Sequence, residues 1–304
     1  MSSPSAPVLF FIYVFFAFVM FTDLIMLAIA SLNLAVISPT KLLHTNLKCI
    51  LITQSVAVLI FGVDRSAIMV KKFIEHDLFM TSNVLLQRVL NFNAIFRRLL
   101  GHVLILERFL ATFYTNSYEK CPKLLFTLAW FSITFIIAVV NAITPEQPQA
   151  ISNFNLITSI LSTILSLAEY LIIAFIGHYN QKIYSKQIEH ASPNNYNIGL
   201  RYQISDNINT AKQLSATFLC FFLSNLFLAF LYIVITLNLV NEAYQISFVY
   251  ACGNWSIAIL CVATEFTIMT HHPLLKRRLT NLLNSIFVLD SIGGRSKFSQ
   301  FAQC

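Results

Sequence analysis

Long apolar stretches recur along the chain and alternate with short polar connectors. Each stretch extends over about 20 residues or more, which is the length that a helix needs to cross the hydrocarbon core of a bilayer. We therefore predict an all-α membrane protein, a single domain over residues 1–304 that forms a bundle of seven transmembrane helices. The predicted spans are approximately 8–37, 49–70, 84–113, 124–143, 156–178, 213–238 and 245–270.

The third stretch, 84–113, differs from the others because charged and polar residues interrupt it. Arg88, Asn91, Arg98 and His102 follow one another at offsets of 3, 7 and 4 residues. These offsets place the four side chains along one stripe of a helix. Because a charge that faces lipid is costly, we predict that the stripe faces the bundle interior or a water-filled cavity.

A different pattern follows the last span, over residues 274–289. Apolar residues recur there at spacings of three and four, while basic and amide side chains occupy most of the other face. This pattern predicts a short amphipathic helix that lies on the inner leaflet. Its basic residues are Lys276, Arg277 and Arg278.

Composition identifies lipid as the solvent for much of the chain. Hydrophobic residues make up 57% of it and charged residues 11%, and the mean hydropathy is +0.71. A soluble domain carries about 25% charged residues. The first apolar run has no basic residues before it and is longer than the apolar part of a signal peptide, so we interpret it as a retained span.

The loop charges predict an orientation. With the N-terminus outside and the C-terminus in the cytosol, 14 of the 20 Lys and Arg residues fall on the inner side and only Lys71 and Lys72 on the outer side. This is the bias that the positive-inside rule describes. A six-span alternative, with 71–123 as one cytosolic loop and the N-terminus inside, keeps the same bias. It leaves 84–113 in water although the segment is apolar.

Buried arginines need partners, because an unpaired charge inside a bundle is costly. The acids in other predicted helices are Asp23, Asp64, Glu169 and Glu265, and of these Asp23 and Glu169 fall closest to the middle of their spans. One interpretation is a structural ion pair, and the other is that an arginine anchors an anionic or polar ligand. The candidate polar centre of the ligand cavity comprises Arg97, Arg98, Asn91, His102, Glu169 and Asp23.

Three segments on the predicted cytosolic side resemble a known class of receptor. Glu107-Arg108-Phe109 resembles the Glu/Asp-Arg-Tyr motif of G-protein-coupled receptors. It lies within "LERFLATFYTNSYEK", which is followed in order by "GLRYQISDNINTAKQL" and "HHPLLKRRL". Together these segments resemble the nematode serpentine chemoreceptors of the Sra superfamily, and most closely its Sre family.

The resemblance implies a multi-pass plasma-membrane receptor in the cilium or dendrite of a sensory neuron. Such a receptor detects a small molecule and signals through a heterotrimeric G protein. It further implies that Arg108 is a cytosolic switch, restrained by Glu107 next to Phe109. The expected cytosolic coupling residues are Arg201, Tyr202, Lys212, Lys276, Arg277 and Arg278.

The chain departs from rhodopsin-like receptors in several places. The seventh span has no Asn-Pro-x-x-Tyr and ends instead at His272-Pro273, and the sixth has no Trp-x-Pro. The usual extracellular disulfide has no cysteines to form it, and the six cysteines show no metal-like spacing. These differences indicate a divergent receptor class.

Other functions fit the sequence less well. The scattered acids and histidines offer neither a nucleophile with its base nor a metal cluster, so we predict no enzyme, no metal and no cofactor. A ligand-gated channel or small-solute transporter is the alternative, although no proline interrupts a span and no internal repeat is present. We expect no nucleic-acid partner and leave open whether two receptors pair.

Overall fold

The computed structural model of the chain describes residues 5–40, 43–75, 83–113, 123–143, 151–189 and 198–292. These residues form eight α-helices and no strand, as the predicted all-α class requires. The helices are α1 (Ala6–Ile37), α2 (Thr45–Ile74), α3 (Val84–Phe113), α4 (Lys123–Ile143), α5 (Ile151–Glu189), α6 (Ile198–Thr236), α7 (Ala243–His271) and α8 (Pro273–Ile292).

Six helices are long and apolar enough to cross a membrane, namely α1, α2, α3, α5, α6 and α7 among the described residues. In α4 the apolar part is shorter and covers Thr127–Ile143. The stretch 84–113 forms α3 over its whole predicted length. Seven spans and their orientation remain predictions.

The outer surface of the bundle is apolar. Large side chains such as Phe10, Phe11 and Ile136 are 71%, 60% and 60% exposed. Extensive exposed apolar surface is rare on soluble monomers, and here it continues along helix after helix. Lipid is the solvent that such a surface requires.

Local sequence explains the sharp boundary between α7 and α8. His272 is extended, with φ −85° and ψ 120°, and Pro273 begins the next helix. A residue before proline is displaced from helical geometry, whereas proline itself is well suited to the first turn of a helix. At the other end of α7, Glu242 and Gln245 form a capping box.

The helices pack as a bundle in which α3 contacts four others. It lies against α2, α4, α5 and α6, while α7 lies between α1 and α6. A buried core cluster at the end where α3 finishes combines residues of most of the helices, including Leu47, Val103, Ile176 and Leu214. At the opposite end the core is rich in aromatic rings.

Two helices extend beyond the spans that the sequence predicts. The sequence predicts that α5 ends near residue 178 and that α6 begins near 213, while the near-heptad spacing of Ile204, Ile208 and Ala211 also allows α6 to extend back over 201–214. That extension is helical, and Ile204 and Ala211 on it are 5% and 3% exposed. The extension of α5 to Glu189 was missed because its polar residues resemble a loop.

The eighth helix is amphipathic, as predicted, and begins one residue earlier than expected. Leu275 is fully buried in the core cluster, and Leu279 and Leu282 pack against that cluster. Lys276 and Arg277 on the other face are exposed. The helix contacts both α7 and α1.

Candidate functional site

The first candidate site is the Glu107–Arg108 pair near the end of α3. Both side chains are buried, at 0% and 4% exposure. The Arg108 guanidinium donates twice to the Glu107 carboxylate: Nη2 lies 2.5 Å from Oε1, and Nε bonds Oε2. Neighbours along a helix point about 100° apart, so Arg108 must curl back to make this bidentate contact. We call this arrangement the closed pair, because the two charged side chains are bonded to each other.

Two further groups surround the pair. His44, at the start of α2, places Nδ1 3.8 Å from Glu107 Oε1. Phe109 is 44% exposed, and its ring centroid lies 4.5 Å from that of Phe113. Phe113 in turn stacks on Tyr179 of α5 at 5.5 Å. The motif thus has a buried charged part and an exposed aromatic part.

The second candidate site is a cavity between α3, α5 and α6, which we call the polar cavity. Its volume is about 20 Å³, room for about one water molecule. Its lining residues are Arg98, Gly101, His102, Ser162, Leu165, Ser166, Glu169, Phe218, Phe221 and Asn225. Arg98, His102 and Glu169, which the sequence proposed together, meet here.

Contacts within the polar cavity divide its charges into two groups. His102 Nδ1 bonds Glu169 Oε1 across the α3–α5 contact. Arg98 Nη1 donates to Ser162 Oγ at 3.0 Å. Asn225 of α6 donates to the Ser162 carbonyl at 3.5 Å. Glu169 is therefore engaged by the histidine, and Arg98 by a hydroxyl group.

A second, apolar cavity of about 20 Å³ adjoins the first one along α3. It shares Gly101, Phe218 and Phe221 with the polar cavity. Its remaining lining residues are Ile50, Leu51, Gln54, Leu100, Leu104, Leu214, Thr217, Thr264 and Ile268. We call it the apolar cavity.

Arg97 and Asp23 lie elsewhere, which corrects the predicted polar centre. Arg97 points away from Arg98 because adjacent residues diverge around the helix. It is 3% exposed, with its guanidinium carbon 5.3 Å from the centroid of the Phe61 ring. Asp23 binds Arg65 of α2 instead, with Nε 3.1 Å from Oδ1.

The side of α3 that carries Arg97 faces a buried polar network that the sequence did not single out. Glu265 Oε2 accepts hydrogen bonds from Ser55 Oγ at 2.7 Å and from Asn33 Nδ2 at 2.5 Å. Arg65 donates to the carbonyl of Asn254. The clue in the sequence was that Arg65 and Glu265 are charges inside apolar spans, where a partner is required.

The other predicted residues occupy separate positions. Asn91 accepts a hydrogen bond from Gln87 at 3.2 Å, one turn earlier on α3. Lys212, Lys276 and Arg277 are exposed. Arg201 and Tyr202 lie on α6, but their side chains fall outside the described residues. Within the described part of the chain, no group of three His, Cys, Asp or Glu residues could hold a metal ion.

The comparison with protein families matches nearly the whole chain. The model of the Sre G protein-coupled chemoreceptor family matches residues 5–301. No curated protein matches the chain. The family match agrees with the all-helical bundle, its apolar outer surface and the resemblance of the three segments quoted above. The chain belongs to the Sre family of G protein-coupled chemoreceptors and is a serpentine, multi-pass membrane protein.

Proposed function

We propose that this receptor detects a small environmental molecule at the plasma membrane of a sensory neuron and activates a heterotrimeric G protein. Seven helices cross the membrane in this proposal, with the N-terminus outside and the C-terminus in the cytosol. Family membership supports the class of function. The bias of Lys and Arg residues among the loops supports the orientation.

The observation that carries the proposal is the closed Glu107–Arg108 pair at the predicted cytosolic end of α3. A bidentate, charge-assisted contact is strong enough to hold the arginine in place. Close to the membrane boundary, it can also be exchanged for other polar partners. Glu107 therefore restrains Arg108 at rest, and Arg108 turns toward the G protein on activation, beside the exposed ring of Phe109.

The polar cavity is the proposed ligand site. Arg98 precedes Arg108 by 10 residues on the same helix, a rise of about 15 Å. Because both sites lie on α3, a ligand that shifts this helix acts on both ends of it. On the cytosolic side, the proposed coupling surface comprises Arg201, Tyr202, Lys212, Lys276, Arg277 and Arg278.

The proposal predicts that Arg108→Ala abolishes ligand-driven G-protein activation while the receptor still reaches the cell surface. The substitution removes the cation that engages the G protein and leaves the cavity untouched. A G-protein dissociation assay in cells exposed to chemical mixtures measures activation, and surface labelling measures expression. We expect at least a 100-fold loss of response, about 3 kcal/mol of coupling free energy.

Arg88→Ala is the matched control, because Arg88 is an exposed arginine on the same helix and outside both cavities. This variant should respond as the unmodified receptor does. Unchanged signalling by Arg108→Ala at equal surface expression would show that Arg108 is not the switch.

A further inference from the structure

The charge distribution in the polar cavity indicates a class of ligand, an inference that rests on the proposed function. Arg98 has five N–H donors, as every guanidinium does. Among the described residues it hydrogen-bonds Ser162 and interacts electrostatically with Tyr232, and it belongs to none of their ion pairs. Glu169, the acid that lines the same cavity, bonds His102. The arginine therefore retains donors for an anion.

The groups next to Arg98 would support such an anion. Ser162 Oγ lies 3.0 Å from Nη1 and can donate its own proton onward. The Asn225 side chain also lines the cavity, and its amide has a second N–H besides the one that donates to the Ser162 carbonyl. A guanidinium flanked by hydroxyl and amide donors matches a planar carboxylate well, because the contact can be bidentate.

The apolar cavity would hold the remainder of the ligand. It begins at Gly101, where the two cavities meet, and continues to Leu104, which lies six residues beyond Arg98. That is a rise of about 9 Å along α3. An extended chain of roughly eight carbons has this length, because a C–C bond of about 1.52 Å advances a zigzag chain by about 1.3 Å.

We propose that the receptor binds a small amphipathic anion, with its carboxylate on Arg98 and its hydrocarbon chain in the apolar cavity. Each cavity is smaller than such a ligand, at about 20 Å³. The chain can therefore enter only when Phe218 and Phe221 rotate away from Gly101. Both rings belong to α6, so binding is coupled to a movement between α3 and α6.

Binding of octanoate tests the proposal directly. The purified full-length receptor is placed in nanodiscs of neutral phosphatidylcholine, and radiolabelled octanoate is titrated against it. We expect saturable binding to one site, with octanol and octylamine competing at least tenfold more weakly than unlabelled octanoate. Arg98→Gln should weaken octanoate binding by about tenfold or more, because a charge-assisted hydrogen bond is lost.

Two matched variants separate the head of the ligand from its tail. A Cβ at Gly101 would meet Phe218 Cε1 at 3.9 Å, an ordinary contact, so the Cβ of a larger residue fits at this position. Gly101→Leu fills the junction and should weaken octanoate by at least tenfold while acetate binding changes little. Arg88→Gln controls for the loss of an arginine elsewhere on α3.

Several results would overturn the proposal. The first is that octylamine binds more tightly than octanoate, and the second is that Arg98→Gln leaves octanoate binding unchanged. The third is that a receptor that unfolds cooperatively shows no saturable binding of any acid from butanoate to dodecanoate. If phosphatidylserine added to the nanodiscs competes with octanoate, the anion that binds Arg98 comes from a lipid, and the proposed carboxylate–arginine contact still holds. Because no G protein is present, failure here is distinct from failure of the signalling proposal.

Discussion

At the scale of single residues, neighbours on one helix have different partners. Arg97 lies over the Phe61 ring, whereas Arg98 bonds Ser162 in the polar cavity. The offsets within 84–113 correctly placed Arg98 and His102 on one side of α3, but Arg88 and Arg98 are exposed, so the predicted stripe does not face the bundle interior along its whole length. They did not reveal that Asp23 would bind Arg65, since a partner on another helix depends on how the helices are rotated and packed.

The Asp23–Arg65 pair yields a prediction about stability. Both side chains are buried, so removing one leaves the other as an uncompensated charge. We expect Arg65→Met alone to destabilise the receptor by about 3–5 kcal/mol. The double variant Asp23→Leu with Arg65→Met should recover most of that loss, because a matched apolar pair replaces two charges.

Thermal unfolding of the purified receptors, followed with a thiol-reactive dye, checks this expectation. Lys71→Met is the control, since Lys71 is 38% exposed and its ion pair with Glu75 at 3.8 Å lies at the surface. If the double variant unfolds at as low a temperature as the single one, the argument from charge pairing is wrong.

At the scale of elements, helix-breaking residues in the sequence explain one helix boundary but not another. The break at His272-Pro273 was visible in the sequence, and the structure places the boundary there. The end of α5 was not visible, because residues 179–189 are polar but contain no proline or glycine to stop a helix. On the extension of α6, Ile204 and Ala211 are buried, so tertiary packing stabilises a segment whose polar residues alone do not predict a helix.

The eighth helix leads to a prediction about lipid. Lys276 and Arg277 are exposed on the face opposite Leu275. Each cationic side chain near an anionic membrane surface contributes about 1 kcal/mol of binding free energy. Replacing both by Gln should therefore weaken the binding of α8 to membranes that contain phosphatidylserine. The expected loss of binding free energy is about 2 kcal/mol, or roughly 30-fold in the binding constant.

Hydrogen–deuterium exchange of residues 273–285 in nanodiscs measures this effect. The double variant should exchange faster than the unmodified receptor on anionic nanodiscs and equally on neutral ones. Replacing the exposed Asn281 and Asn284 by Ala provides a control with no change in charge. Equal exchange by all three proteins on anionic nanodiscs would contradict the electrostatic role of α8.

At the scale of the whole molecule, the question is how the bundle sits in the membrane. Six helices satisfy the length and hydropathy needed for a span, and α4 has a shorter apolar part among its described residues. Helix α3, which separates the seven-span interpretation from the six-span alternative, contacts four other helices. A helix in that position is difficult to place in a cytosolic loop.

Topology mapping tests the arrangement. We expect an epitope tag at the N-terminus to be labelled on intact cells and a tag at the C-terminus to be labelled only after permeabilisation. Single cysteines introduced along 84–113 should be protected from a membrane-impermeant thiol reagent near the middle of α3. A stretch that is uniformly reachable from the cytosol would favour the six-span alternative and remove the basis for the receptor mechanism.

The sequence by itself determined the solvent, the class of fold and the family. Hydropathy, loop charge and short sequence motifs are local properties, and each can be read without knowing which helices touch. The tertiary structure decided which charges on different helices are partners: His102 with Glu169, and Arg65 with Asp23. Those pairings depend on the rotation and neighbours of each helix, which many weak packing contacts set together.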